Sequence, residues 1–149
     1  AKYYPDLFND FLLHQQALPR NPIEVEAISG SCMLVRSKNV TDVGNMDENY
    51  FIHCEDLDWC MRFRKKGWRI FFIPNAKVVH HKGGCSRARL IFVEWHKHKG
   101  MVRFYNKFFR HQYPSALMCL VISGIWLRFG MVAVHRAIRY IIKEFRFGG

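Results

Sequence analysis

The order of residue types between His53 and Gly84 constrains this chain more than any other feature. Glu55, Asp56 and Asp58 open a segment running to Lys66 in which Trp59, Cys60 and Phe63 fall on one helical stripe and the bases gather at the end. Gly67 is placed to stop that helix, because glycine adopts the left-handed backbone of a C-terminal cap without steric cost. Two β-rich runs follow, WRIFFIP and AKVVHH, broken at Pro74-Asn75, and they predict strands near a sheet edge. His80 and His81 close the second run just ahead of Gly83-Gly84. An acid-opened helix feeding short strands predicts an α/β fold.

The flanks extend this reading. Residues 1–24 carry Pro5, Pro19 and Pro22 and predict a short helix around 6–17 followed by a loop. VEAISGSCMLVR, from Val25, has small and apolar residues in strand-like order, and SKNVTDVG predicts one short helix stopped by Gly44. NMDENYFIHCE is a loop carrying polar groups past aromatics, the kind of connection where binding residues collect. Residues 86–111 predict a basic-aromatic helix, and Pro114 starts another that runs to about 146. The chain thus divides into 1–24, 25–85 and 86–149.

Charge follows the same division. Residues 1–85 hold 11 Lys/Arg against 10 Asp/Glu, whereas 86–149 hold 12 against 2, so +10 of the net +11 lies in the last 64 positions. A near-neutral globular part carries a basic extension that attracts phosphates, in nucleic acid or on an anionic membrane. The five cysteines, Cys32, Cys54, Cys60, Cys85 and Cys119, are odd in number and share no CxxC spacing, which argues against a disulfide framework and for a reducing compartment.

The acids and histidines each admit a plain reading and a chemical one. Negative side chains in a first helical turn are favoured by about 0.3–1 kcal/mol each, so Glu55, Asp56 and Asp58 could be capping alone. Asp58 and Arg62, four apart, form an ordinary helical ion pair. Chemically, one carboxylate in a cleft could take the proton from an attacking hydroxyl, a contribution of about 10²–10⁴-fold. Of His80 and His81, neighbours on a strand, only one points into a given cleft; it could ligate a divalent cation that carries phosphates.

Taken together, GSCMLVRSKNVTDVGNMDENYFIHCEDLDWCMRFRKKGWRIFFIPNAKVVHHKGGCS resembles the second half of family 2 glycosyltransferases, especially the bacterial rhamnosyltransferase-like branch. The resemblance rests on G-x-x-x-L-x-R, G-x-x-D-E-x-[FY]-F, E-D-x-D-x-x-x-R, G-[WY] and V-x-H-x-x-G, and covers about residues 27–86. It implies the C-terminal, acceptor-side half of a GT-A (Rossmann-like) domain, followed here by basic, partly apolar helices. It further implies an inverting transfer of a sugar, rhamnose as a family-level expectation, from a nucleotide-diphosphate donor to a lipid-linked or polysaccharide acceptor of the cell surface. Asp56 matches the catalytic base, Glu55 and Asp58 the acceptor-side acids, and His80 the ligand to Mg²⁺ or Mn²⁺. Arg62 and His81 are matched to the diphosphate, with pairing to Asp58 as the other role for Arg62. The donor-binding half of the family has no counterpart before residue 25, so the chain reads as a portion of a longer enzyme, inactive by itself.

The tail bears on place. Ala116 to Val134 is 19 residues with one charge, Arg128, near the lower limit of about 17–25 residues for a spanning helix. Arg136, Arg139, Lys143 and Arg146 follow, and they favour an interfacial helix on anionic lipid at the cytoplasmic face over a span. The plain alternative is an amphipathic helix packed on protein. Two rival classes remain: a nucleic-acid or membrane-surface module without catalysis built on HKHKGMVRFYNKFFRH (96–111), and a zinc-held domain using Cys54, Cys60, His80, His81 and Cys85. The first leaves the acids without a role, and the second lacks common zinc spacings.

Overall fold

The computed structural model describes residues 18–80 and 90–147. Within them the chain runs β1 (Ile23–Val25), α1 (Ser37–Val43), α2 (Glu55–Lys65), β2 (Ile70–Phe72), α3 (Leu90–Phe108) and α4 (Ser115–Phe147). The helix expected over 6–17, and His81 and Cys85, lie outside the described residues.

The helices stop where glycine permits it. Gly44, at φ 85°, ends α1, and its N–H bonds Val40 O at 2.7 Å. α2 ends in a Schellman motif: Gly67, at φ 80°, donates to Arg64 O at 2.9 Å, and Trp68 N–H reaches Phe63 O at 3.0 Å. Acids in its first turn and Arg62, Arg64 and Lys65 in its last complement the helix dipole. Pro114 O accepts from Met118 N–H at 3.1 Å and so opens α4, as its place in the sequence predicts.

The sheet is smaller than the α/β reading predicts. β1 and β2 pair antiparallel, Ile23 with Phe72, Glu24 with Phe71 and Val25 with Ile70, and this is the one sheet among the described residues. The rest of 25–36 forms no strand, and neither does Ala76–His80. A strand is held by ladder bonds to a neighbour, and these two runs have none among the described residues. The described part is predominantly helical, and a Rossmann-like layering is not seen in it.

α3 is the middle of three layers. One of its faces carries Phe92, His96, Gly100, Arg103 and Lys107, and it meets the loop before α2. About 200° round the helix, two residues on from Phe92 and His96, Glu94 and His98 meet α4 through Arg136 and Arg128, and Trp95, on the flank of that face, meets Trp126 and Phe129. The largest fully buried side chains are His98, Asp58 and Cys60, so three titratable groups sit within the packing. His98 Nδ1 faces Glu94 O at 2.6 Å and its Nε2 faces Arg128 Nη1 at 3.1 Å. A carbonyl only accepts and a guanidinium only donates, which assigns the ring hydrogen to Nδ1.

Candidate active site

The loop between α1 and α2 is shaped by strain and by a gap in α3. His53 and Cys54 both have positive φ, 70° and 72°, a left-handed conformation that non-glycine residues adopt at a cost of about 1–3 kcal/mol. What holds them is close contact. A Cβ on Gly100 would stand 2.7 Å from His53 O, so only glycine at that turn of α3 lets the loop backbone settle on the helix. Phe51 adds a stacking contact, with ring centroids 5.4 Å from Phe92 and 4.4 Å from His96.

Charges fix the two ends of the loop. Asp47 accepts from Arg103 Nη2 at 2.8 Å, Lys107 Nζ at 2.9 Å and Asn49 at 2.8 Å. Desolvation raises its pKa, but the hydrogen bonds from Lys107, Arg103 and Asn49 outweigh that and hold the carboxyl well below the usual range. Asp58 is 0 % exposed and takes Lys107 Nζ at 2.6 Å, Tyr50 Oη at 3.1 Å and Arg62 Nε at 2.7 Å. Burial, then the charge of Asp58, pushes the Tyr50 phenol well above its ordinary pKa, so it stays a donor to that carboxylate.

The acids of α2 are therefore not equivalent. The sequence groups Asp58 with the acceptor, but its carboxylate faces inward, because Tyr50 and Lys107 converge on it. Arg62 realises the ion pair, and its other nitrogens donate to Val43 O at 2.9 Å and Asn45 O at 2.6 Å, closing the end of α1. A diphosphate would have to displace those bonds. Asp56 is half-buried; its Oδ2 accepts Gly30 N–H at 2.8 Å and its Oδ1 accepts Leu57 N–H at 2.8 Å. Two backbone donors fix the carboxylate, and each oxygen keeps a lone pair for a further partner. Glu55 is half-buried, and its Oε2 is enclosed without a hydrogen-bond partner among the described residues.

His80 lies exposed on an irregular segment, and no three His, Cys, Asp or Glu side chains converge on a metal-sized space among the described residues. His80 by itself supplies one ligand, and a divalent cation there would need others from outside the described residues. Of the residues in the zinc reading, Cys54, Cys60 and His80 form no such cluster among the described residues, and His81 and Cys85 lie outside them. The nucleic-acid reading loses its continuous basic strip, because Arg103 and Lys107 are turned onto Asp47 and Asp58, and Lys97 lies 3.6 Å from Glu94.

Asp47, Tyr50, Arg103, Lys107 and Gly100 are residues that sequence reasoning did not single out. Asp47 and Tyr50 stand in the G-x-x-D-E-x-[FY]-F element, which was signal enough for those two. The α3 residues had none: an arginine and a lysine in a basic run look alike whether solvated or paired.

Comparison with known proteins gives the family. A family model described as glycosyltransferase like family 2 matches residues 14–119, and the chain belongs to that family. Among individual relatives, it is 43 % identical over 68 residues to N-acetylglucosaminyl-diphospho-decaprenol L-rhamnosyltransferase of Mycobacterium tuberculosis, covering 46 % of this chain and 22 % of that one. It is 30 % identical over 89 residues to rhamnosyltransferase WbbL of Escherichia coli, 56 % of this chain and 34 % of that one. Over 87 residues it is 29 % identical to dTDP-rhamnosyl transferase RfbF of Shigella flexneri, 58 % of this chain and 29 % of that one. The matches thus span 22 % to 34 % of the length of these relatives. No solved structure matches.

Proposed function

We propose that the chain is the acceptor-side portion of a glycosyltransferase that moves a sugar from a nucleotide-diphosphate donor to a lipid-linked acceptor. Relatives named as rhamnosyltransferases, one with a dTDP-rhamnosyl donor and one with a diphospho-decaprenol acceptor in its name, support rhamnose and a polyprenyl diphosphate. The single observation that carries the reading is the division of labour in the first turn of α2: Asp58 is buried and tied, whereas Asp56 is accessible and fixed by two backbone N–H groups.

Asp56 acts as the base. Its free lone pair takes the proton of the acceptor hydroxyl as that oxygen forms its bond to the anomeric carbon. The carbon–oxygen bond to the nucleotide diphosphate breaks on the opposite side, with inversion. Glu55, half-buried beside it in the first turn of α2, orients the acceptor through a hydroxyl. Asp58, Tyr50, Arg62, Lys107 and Asp47 are positioning residues that hold α2 and its loop on α3. Mg²⁺ or Mn²⁺ on the donor would need ligands beyond His80, and His81 and the donor pocket fall outside what the described residues address. A polyprenyl-linked acceptor puts the reaction at a membrane, and the excess of Lys/Arg favours its cytoplasmic face.

The test is sugar transfer by the full-length enzyme, wild type against Asp56→Asn, with a panel of nucleotide-sugars and a lipid-linked acceptor. A fall in kcat of about 100-fold or more with unchanged melting is expected. Transfer that survives the substitution would move the base elsewhere, and absence of transfer from every donor would end the proposal.

A further inference from the structure

α4 has two apolar seams, and only one is covered. Met118 and Ile125 are buried and Phe129 is partly so, on the side that packs on α3. Leu120, Leu127, Met131, Val134 and Ile138 form a second line, each two residues further on or in step with it, which is about 200° round the helix. Leu127 is 68 % and Met131 61 % exposed, and of the apolar window within Ser115–Arg139 only 11 % is buried. The two charges that interrupt this stretch are turned toward α3: Arg128 reaches His98 at 3.1 Å and Arg136 reaches Glu94 at 3.0 Å. The open face carries no charge from Leu117 to Ile138.

Ser115–Arg139 is long enough to cross a bilayer, yet the hairpin forbids it. α3 lies against α4 from the Phe129–Trp95 contact at 5.5 Å to the Arg136–Glu94 pair. A crossing α4 would drag Glu94, Lys97 and Lys99 into hydrocarbon, where charged side chains are strongly disfavoured.

We infer that α4 docks lengthwise on an anionic lipid surface, its open seam sunk at the acyl boundary and its cations among the phosphates. Charge complementarity selects lipid over a second copy of the chain. A groove of about 670 Å³ borders the seam, where Arg128, His135 and Arg139 stand near Met131, while Arg136 at its far wall stays paired with Glu94. Arg110 and His111 stand exposed at the opposite end, in the turn before α4. Between Ser115 and Lys143 α4 has no carboxylate, so a second copy would bring like charges together, whereas lipid phosphate supplies the missing sign. This deepens the membrane placement proposed above without depending on sugar transfer, because its readout is binding.

The test uses the full-length protein with vesicles of phosphatidylcholine alone and of phosphatidylcholine with phosphatidylglycerol. Sedimentation with the anionic vesicles at least about tenfold tighter than with neutral ones is expected, weakened by salt. Leu127→Gln with Met131→Gln should lower that binding about tenfold or more while circular dichroism is unchanged, since both positions are exposed. A Leu127→Trp reporter should be quenched by lipids brominated near the headgroup and not by those brominated at the chain end. Undiminished binding by the double variant, quenching at the bilayer centre, or a dimer without lipid that the double variant dissolves would each overturn the inference.

Discussion

Lys107 Nζ stands 2.6 Å from Asp58 Oδ2, joining the last turn of α3 to the first turn of α2. The same ammonium lies 2.9 Å from Asp47, so one cation from a distant helix anchors both sides of the loop that leads into the first turn of α2, where Asp56 stands. Lys107→Met should therefore destabilise the protein by about 3 kcal/mol, because it leaves buried negative charge under-compensated. Asp58→Asn should cost a similar amount, measured by denaturant unfolding, whereas Asp56→Asn should cost at most about 1 kcal/mol.

Gly100→Ala sets two effects against each other. Alanine is better than glycine in a helix by about 1 kcal/mol, but its Cβ would stand 2.7 Å from a backbone oxygen of His53. The backbone contact cannot rotate away, so a net loss of about 1–3 kcal/mol is expected by thermal melting. Transfer by the full-length enzyme should fall further than stability accounts for, since the displaced loop leads into Asp56.

Acid should act through Asp47. Its folded pKa is depressed, so the stabilisation it gives is complete above the ordinary carboxylate pKa of 3.8 and is lost as pH falls below that toward the folded value. Asp47→Asn should destabilise near neutrality by about 1.5–3 kcal/mol. In urea titrations the gap between the two proteins should narrow below about pH 4.

Thiol reactivity should divide by position. Burial, with the charges of Asp56, Glu55 and Asp58, pushes the Cys54 thiol up to about 12, and burial raises Cys60 as well. Cys32 and Cys119 are exposed. Under a brief alkylation at pH 8, peptide mapping should find Cys32 and Cys119 modified, with Cys54 and Cys60 modified only after unfolding.

α1, α2 and α4 were legible because each carries its own punctuation: Gly44 and Gly67 stand at the ends of α1 and α2, and Pro114 ahead of α4. Of the strands, the one in WRIFFIP was legible and is β2, whereas VEAISGSCMLVR and AKVVHH have β composition but lack the ladder partner that composition does not name. At the site, Asp56 and Glu55 could be picked out from their place in a motif. That Asp58 turns inward could not, because the deciding groups, Tyr50 and Lys107, lie on a loop and on a different helix. Arg62 was readable only as far as its neighbour at i−4; its bonds to Val43 and Asn45 follow from the fold.

α3 is gripped on opposite sides, by Phe51, His53 and Asp47 through Phe92, Gly100 and Arg103, and by α4 through Trp95 and His98. A packed helix cannot slide for one neighbour while standing still for the other. Lys107 belongs to that doubly packed helix and holds Asp58 in the turn that carries Asp56, so a substitution that loosens the α3–α4 contact should loosen that turn as well.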